Sequence, residues 1–316
     1  MKKRILSLLP SATEIVCGLG FADCLVGRSH ECDHPSEVRS LPICTKPRIN
    51  VNASSQEIDR EVKTLLREAL SIYELNTETI RALKPDLILT QAQCEVCAVS
   101  LAQVETALRD WAGSEADIVS LSPTCLAAIW QSIVQVAGAL DAPDRGAKFV
   151  QALQARVADA TRFSKPDRPT VACLEWLEPL MAAGNWVPEL VDLAGGRDMF
   201  GKPGKHSDWI ELKQLIRVDP EILILMPCGF DLERTCREMS VLSTMPEWNQ
   251  LQAVQSGHVF VTDGSQFFNR PGPRVVESLE ILIEILHPEQ RRFGHEGKAW
   301  LRAAQHGSPR RLTETA

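Results

Sequence analysis

One long helical pattern lies between two series of alternating strands and helices, and it constrains the fold more than any other feature. Residues 143–163 carry apolar side chains at helical spacing, with Phe149, Val150, Leu153 and Val157 along one face. A single uninterrupted helix at this position indicates a connection between two separate series of strands and helices. The sequence therefore predicts two α/β units that are joined by one helix.

Short apolar runs alternate with helical patterns in both halves of the chain. The first half predicts strands at 5–9, 25–29, 86–90 and 117–121, and helices at 12–19, 54–71, 101–111 and 124–140. The second half predicts strands at 170–175, 221–226 and 259–262, and helices at 188–194, 209–216 and 273–286. Alternation of this kind indicates mostly parallel sheets that are covered on both faces.

Two segments repeat the same order of features at matching places in the two halves. Residues 80–89 and 215–224 each read as a helix end, a proline turn and an apolar strand. We predict a first α/β lobe over 1–142, a connecting helix over 143–163, a second α/β lobe over 164–290 and a basic tail over 291–316.

Composition excludes some classes of partner. The 316 residues carry a formal net charge of −7, which does not favour nucleic acid as a partner. No apolar stretch is long enough to span a bilayer, so membrane insertion is not expected. The apolar run after Arg4 is broken by Pro10 and Glu14, so we expect no removable leader and a cytoplasmic location.

Several motifs occur together in the order of a known family. They are the run Arg4-Ile-Leu-Ser-Leu-Leu-Pro-Ser-Ala-Thr-Glu14, the turn at 83–88, the long helix, and Arg270-Pro-Gly-Pro-Arg274. This set resembles the helical-backbone class of ABC-transporter solute-binding proteins, which carry vitamin B12 and ferric siderophores, and it is most similar to the B12 branch. The resemblance implies two Rossmann-like lobes joined by one long helix, with the ligand in a cleft between the lobes.

The resemblance also implies a function. It implies binding of a corrinoid such as cobalamin, or of a similar metal chelate, with no catalysis by the protein itself. An ABC permease is the partner that such a protein would have. The sequence carries no glycine-rich phosphate loop, no Gly-x-Ser-x-Gly elbow and no His-Glu-x-x-His motif, so an enzyme is the less favoured class.

Candidate ligand-binding residues follow from the rule that ligands bind beyond the carboxyl ends of parallel strands. Flat aromatic faces suit a planar apolar ligand, and arginines suit its carboxylates or phosphates. The candidates are Pro10, Ser11, Gln91, Glu175, Trp176, Trp186, Trp209, Phe268 and Arg270. The alternative for each tryptophan is packing at the start of a helix, and Asp208 is expected to cap the helix at 209–216.

Cysteines supply the second hypothesis. The chain has ten, and five are predicted on loops at one edge of the first sheet: Cys32, Cys44, Cys94, Cys97 and Cys125. Such thiolates could bind zinc or an iron–sulfur cluster, and the alternative function is a cytoplasmic metal-dependent or iron–sulfur-dependent enzyme or metal-binding protein. Buried thiols without a metal, or redox exchange through Cys94 and Cys97, are the other two interpretations.

Overall fold

Two α/β units make up the computed structural model, which describes residues 3–67, 72–91, 116–163 and 167–303. The first unit comprises Met1–Ala53 and Glu57–Gln154, and the second comprises Ser54–Gln56 and Ala155–Ala316. Among the described residues, no helix combines the length and the apolar character that crossing a bilayer requires. The predicted α/β class with two units and one connecting helix is confirmed.

A parallel sheet forms the centre of the first unit. Its four strands are β1 (Ile5–Ser7), β2 (Leu25–Arg28), β5 (Leu87–Gln91) and β6 (Asp117–Leu121), in the order β2-β1-β5-β6. A small antiparallel pair, β3 (Thr45–Pro47) and β4 (Tyr73–Leu75), accompanies it. The helices described here are α1 (Pro10–Gly18), α2 (Ser55–Arg67), α3 (Thr77–Leu83) and α4 (Leu126–Ala139). The helix predicted at 101–111 lies outside the described residues.

The connecting helix is α5 (Pro143–Ala160). It begins where predicted and ends three residues earlier than the pattern indicated. The hydroxyl of Thr161 donates to the carbonyl of Val157 at 2.9 Å, at the point where the helix gives way to a turn. Its first part belongs to the first unit and its last turns, from Ala155, belong to the second.

A seven-stranded mixed sheet forms the centre of the second unit. The strands are β7 (Thr170–Leu177), β8 (Leu180–Ala182), β9 (Arg197–Asp198), β10 (Asp208–Trp209), β11 (Ile222–Leu225), β12 (Val259–Thr262) and β13 (Trp300–Arg302). The order is β10-β8-β7-β11-β12-β13, with β9 also pairing with β7. Strands β7, β11 and β12 are parallel, whereas β8, β10 and β13 are added at the edges in antiparallel fashion.

Five helices cover this second sheet among the described residues. They are α6 (Val187–Leu193), α7 (Leu212–Val218), α8 (Leu232–Ser243), α9 (Gln252–Gln255) and α10 (Val275–Leu286). Leu174, Leu223 and Val261, one from each parallel strand, are fully buried in the core between sheet and helices. Pairing in the sheet satisfies the backbone hydrogen bonds of the strands, and loops follow their carboxyl ends.

The two echoing segments adopt the same local structure. Lys84 follows α3 as its C-cap and Asp219 follows α7 in the same way, and both residues have left-handed backbone angles, with φ of 43° and 45°. A proline follows each of them and prevents the helix from continuing, after which β5 or β11 begins. The repeated sequence order therefore corresponds to a repeated helix–turn–strand unit.

Two edge strands of the second sheet were not predicted. The pattern placed Trp209 at the start of a helix with Asp208 as its cap, but both residues form β10. The helix begins only at Leu212, because the Glu211 side chain caps it and Gln214 bonds back to the cap backbone. At the other edge, Trp300–Arg302 pairs with β12, so part of the segment that was expected to be a basic tail belongs to the sheet.

Candidate functional site

The carboxyl ends of β1 and β5 carry the first group of predicted ligand residues. Pro10 and Ser11 form the first turn of α1, directly after β1, and Ser11 is buried. Gln91 is the last residue of β5 and is also buried. The main chain of Leu8 donates to the carbonyl of Leu89 at 2.9 Å, so these two strand ends are held side by side. The three residues remain candidates for the edge of the sheet at which ligands bind.

Cys32 and Cys44 lie on the expected loops, but their sulfur atoms are enclosed. Both side chains are completely buried. The Thr13 hydroxyl lies 3.0 Å from Sγ of Cys32, and Cys44 packs in the core beside Leu6 and Ile88. Burial raises the pKa of the Cys44 thiol to about 11, which disfavours the thiolate that a metal requires.

Cys125 precedes α4 and is partly exposed. Cys94 and Cys97 lie outside the described residues. Within the described ranges, no three histidine, cysteine, aspartate or glutamate side chains come together in a way that could hold a metal ion. The structure therefore does not support zinc or an iron–sulfur cluster at Cys32, Cys44 and Cys125.

A buried arginine organises the loop that follows β2. The guanidinium of Arg28 donates to the carbonyls of Ser29 and Cys32 at 3.0 Å each, and to the carbonyl of Arg39 at 3.0 Å. These bonds hold the loop from residue 29 to residue 39 against the sheet edge. The loop presents His30, whose Nδ1 lies 2.7 Å from the Thr45 hydroxyl.

The imidazole of His30 is half-buried and uncharged at neutral pH. Burial and the neighbouring Arg28 guanidinium lower its pKa to about 4. Its ring lies 5.1 Å from the ring of Tyr73, and the Tyr73 hydroxyl donates to Oε1 of Glu31 at 2.8 Å. These contacts depend on the pairing of β3 with β4, which was not predicted.

Glu175 occupies the carboxyl end of β7, as predicted. Its Oε2 accepts a hydrogen bond from the Ser207 hydroxyl at 2.7 Å, and the Ser207 oxygen accepts from the main chain of Gly184 at 3.0 Å. Burial raises the pKa of Glu175, although the Ser207 hydroxyl acts in the opposite direction. In this position the Glu175 side chain can accept a hydrogen bond from a ligand as a carboxylate, or it can exist as the neutral acid.

Three predicted aromatic residues are packed into the second unit. Trp176, Trp186 and Phe268 are 9 %, 6 % and 1 % exposed. The indole N–H of Trp186 donates to the carbonyl of Phe268 at 2.8 Å, and the ring of Trp176 lies 5.2 Å from that of Phe230. These contacts favour the packing alternative over stacking on a ligand for all three residues.

Trp209 differs from the other candidates because it is 53 % exposed on edge strand β10. It pairs with Met181 of β8, and it follows the segment that carries Ser207. The exposed part of the indole presents a flat apolar face. Of the four predicted aromatic residues, Trp209 has the largest exposed fraction.

The loop after β12 carries Arg270, which is buried beside Asp263. Asn269 ties this loop to the neighbouring strand end, since its Nδ2 donates to the carbonyls of Met226 and Gly264 at 3.0 and 2.9 Å. A side chain at Gly264 would meet the carbonyl oxygen of Pro227 at 2.2 Å, so only glycine permits this approach. Burial raises the pKa of Asp263. Arg270 is thus held within the loop network rather than extended into solvent.

The helix that follows the loop after β11 was not predicted. Asp231 caps α8 by accepting from the main chain of Arg234 at 2.8 Å, and the Arg234 guanidinium lies 3.6 Å above the ring of Phe230. An Asp followed by a helical pattern was the signal that could have identified this helix. The loop residue Phe230 and the first turn of α8, which carries Arg234, thus lie beside Trp176 at the end of β7.

Comparisons with known proteins agree on one class. Residues 5–265 match the model of a family described as periplasmic binding protein. The chain is 25 % identical over 297 residues to the vitamin B12-binding protein of Vibrio parahaemolyticus, covering 90 % of this chain and 88 % of the relative. It is 20 % identical to an ABC transporter substrate-binding lipoprotein of Bacillus subtilis, covering 91 % and 81 %. The structure of a periplasmic haem-binding protein from Pseudomonas aeruginosa superimposes with a TM-score of 0.67 at 19 % identity, covering 92 % of this chain and 95 % of that one.

These matches confirm the resemblance noted in the sequence and favour a solute-binding protein over the metal-dependent enzyme. They contradict the expected cytoplasmic location, because the relatives are periplasmic proteins and a lipoprotein. The expectation was based on the interrupted apolar run after Arg4, and the ten cysteines do not support it independently. Cys32, Cys44 and Cys173 are at most 2 % exposed, so core packing accounts for them in any compartment.

Proposed function

Because the chain belongs to the periplasmic binding protein family, we propose that it binds a planar metal chelate, in the first place a corrinoid such as cobalamin. The observation that carries the proposal is the match along about nine tenths of the chain to a protein named for binding vitamin B12. The haem-binding protein that shares the fold is named for a second planar metal chelate. Both names point to a ligand with a flat macrocycle and a central metal.

The described residues offer groups that fit such a ligand. Trp209 exposes an indole face, against which a macrocycle can stack. Glu175 and Ser207 can form hydrogen bonds with the side-chain amides of a corrin, which haem does not carry. In the first unit, Ser11 and Gln91 place polar groups at the strand ends, next to Pro10. These features support a corrinoid over haem.

A role in uptake follows from the same reasoning. One relative is named as the substrate-binding lipoprotein of an ABC transporter. We propose that this protein likewise delivers its ligand to an ABC permease. Co-purification with a permease expressed from the same genome, in the presence but not the absence of aquocobalamin, would support that step.

Binding itself is tested by titration of the intact protein with aquocobalamin and, separately, with haemin, while tryptophan fluorescence is recorded. We expect saturable quenching by aquocobalamin with one site per chain and weaker binding of haemin. Trp209→Leu should weaken aquocobalamin binding about tenfold, equal to about 1.4 kcal/mol. Val134→Ala, at an exposed position on α4, is the matched control and should bind normally. Absence of saturable binding by either chelate would refute the proposal.

A further inference from the structure

His30 lies at the carboxyl end of β2 with its imidazole held from one side. The Nδ1 atom lies 2.7 Å from Oγ1 of Thr45, and the main-chain N–H of His30 donates to the same oxygen at 3.0 Å. The Thr45 hydroxyl in turn donates to Oγ of Ser29 at 3.2 Å. Thr45 itself is fixed in β3, where it pairs with Leu75.

These distances define a complete hydrogen-bond network for one tautomer of the ring. The Thr45 oxygen has two lone pairs and one proton, so it can accept from both His30 groups and donate to Ser29. Nδ1 then carries the ring proton, and Nε2 carries a lone pair. No hydrogen bond to Nε2 comes from any residue in the described part of the chain.

A ring contact with Tyr73 restricts the orientation of the His30 imidazole. Tyr73 packs against the imidazole with a centroid distance of 5.1 Å and an interplanar angle of 52°. The Tyr73 hydroxyl donates a hydrogen bond at 2.8 Å to Glu31, and Glu31 directly follows His30 in the chain. A half-buried imidazole with one nitrogen hydrogen-bonded and the other carrying a lone pair is the arrangement found in metal-ligating histidines.

We propose that Nε2 of His30 is an axial ligand to the metal of the bound chelate. The inference rests on the proposed function, because it requires that a metal chelate binds at the strand ends. In the binding step, the Nε2 lone pair forms a bond to the metal and a water molecule leaves the same coordination position. The metal keeps its oxidation state, and no proton is transferred because the ring is already neutral.

Thr45 is the positioning residue for this bond. Its hydroxyl holds the Nδ1 proton and thereby keeps the lone pair on Nε2. Loss of the hydroxyl would leave the imidazole in place but free to rotate and to change tautomer. Thr45→Val keeps the shape of the side chain and should therefore weaken coordination without abolishing it.

The experiment compares two cobalamins on the wild-type protein. Aquocobalamin carries an exchangeable axial water, whereas cyanocobalamin carries a cyanide at that position. We expect the visible absorption bands of aquocobalamin to shift on binding, as they do when an imidazole replaces the water, and those of cyanocobalamin to stay unchanged. The wild-type comparison needs no variant to fold.

Variants then identify the residue. In His30→Gln the band shift should disappear and aquocobalamin affinity should fall at least tenfold, while cyanocobalamin affinity changes less than twofold. In Thr45→Val the shift should remain with reduced affinity. His258→Gln, at the amino end of β12, is the control and should behave as the wild type.

The outcomes separate the two proposals. Binding of both cobalamins with no band shift, or an unchanged shift in His30→Gln, would overturn the axial-ligand inference and leave the proposed function standing. If the wild-type protein bound neither cobalamin nor haemin, the proposed function would fail, and the inference would fail with it.

Discussion

The indole N–H of Trp186 donates to the main-chain oxygen of Phe268 across the second unit, at a distance of 2.8 Å. Trp186 precedes helix α6, and Phe268 belongs to the loop after β12 with a left-handed φ of 63°. The main-chain N–H of Phe268 also forms a hydrogen bond, which it donates to Oγ of Ser278 at 3.0 Å. Both aromatic residues, which the sequence presented as ligand candidates, thus stabilise the loop that carries Arg270.

Trp186→Phe should lower the free energy of unfolding, because it removes this hydrogen bond and leaves the Phe268 carbonyl buried without its donor. We expect a loss of about 1–3 kcal/mol, measured by urea denaturation. Trp209→Phe, at the exposed edge, should change stability by less than about 0.5 kcal/mol. Equal effects of the two substitutions would contradict the structural role assigned to Trp186.

The thiols of the first unit should differ in reactivity. The Cys44 side chain is fully buried and its pKa is raised to about 11, so almost no thiolate is present at neutral pH. The partly exposed Cys125 should be alkylated by iodoacetamide much faster in the native protein. Mass spectrometry of tryptic peptides measures both rates, and unfolding in guanidinium should make the rates similar. Rapid native labelling of Cys44 would show that the core is open there.

Glu284 should anchor the chain that follows α10. Its carboxylate accepts from the main chains of Phe293, Gly294 and His295, and Oε2 accepts from Nε1 of Trp300 at 2.8 Å. Glu284→Gln should therefore lower the free energy of unfolding by about 2 kcal/mol at neutral pH. The exposed Glu289→Gln is the matched control and should be neutral within about 0.5 kcal/mol.

The same anchor predicts a dependence on pH. The hydrogen bonds from Trp300 and the main chain lower the pKa of Glu284 below its ordinary value of 4.5, against the opposing effect of burial. The ionised carboxylate therefore contributes stability above that value, and the contribution is lost as pH falls through the lower folded-state pKa. Denaturation curves across this range should show an acid-induced loss in the wild type that is smaller in Glu284→Gln. Parallel pH profiles for the two proteins would contradict the assignment.

Glu175 should show the opposite sign. Burial raises its pKa, so the folded protein disfavours the ionised form that the unfolded chain adopts above the ordinary value of 4.5. Stability should fall as pH rises from that value toward the folded-state pKa. Glu175→Gln should therefore raise stability at neutral pH, by up to about 1 kcal/mol, and weaken aquocobalamin binding. Exposed Glu247→Gln is the control for both measurements, and a destabilised Glu175→Gln protein would refute this interpretation.

The sequence predicted the parts of the fold that depend on strong local patterns. Strands at 117–121 and 259–262 appear with the predicted bounds, because each is an apolar run between turn signals. Strand β10 was missed because two residues carry no period, and its formation depends on pairing with Met181 and Ala182. Strand β13 likewise depends on the anchoring of Trp300 by Glu284, a contact between residues sixteen positions apart.

The candidate site could be predicted only to the level of loops. The strand-end rule predicted that Glu175 lies near the end of a strand and Cys32 in a loop after one, as the structure shows. It could not predict the direction of either side chain. Cys32 turns inward to Thr13, and Trp186 turns inward to Phe268, because neighbouring elements supply partners there. The His30 ring is held by contacts with Thr45 and Tyr73. These two residues are brought together by the pairing of β3 with β4, which no local sequence pattern predicts.

The central claim is that a planar metal chelate binds at the carboxyl ends of the parallel strands. Hydrogen–deuterium exchange of the full chain, with and without saturating aquocobalamin, tests it most directly. We predict slower exchange in the segments 29–34 and 175–186, which follow or end β2 and β7, and unchanged exchange at the amino end of β11 near Asp219. Slowing confined to the amino ends of the strands, or no change at all, would contradict the account.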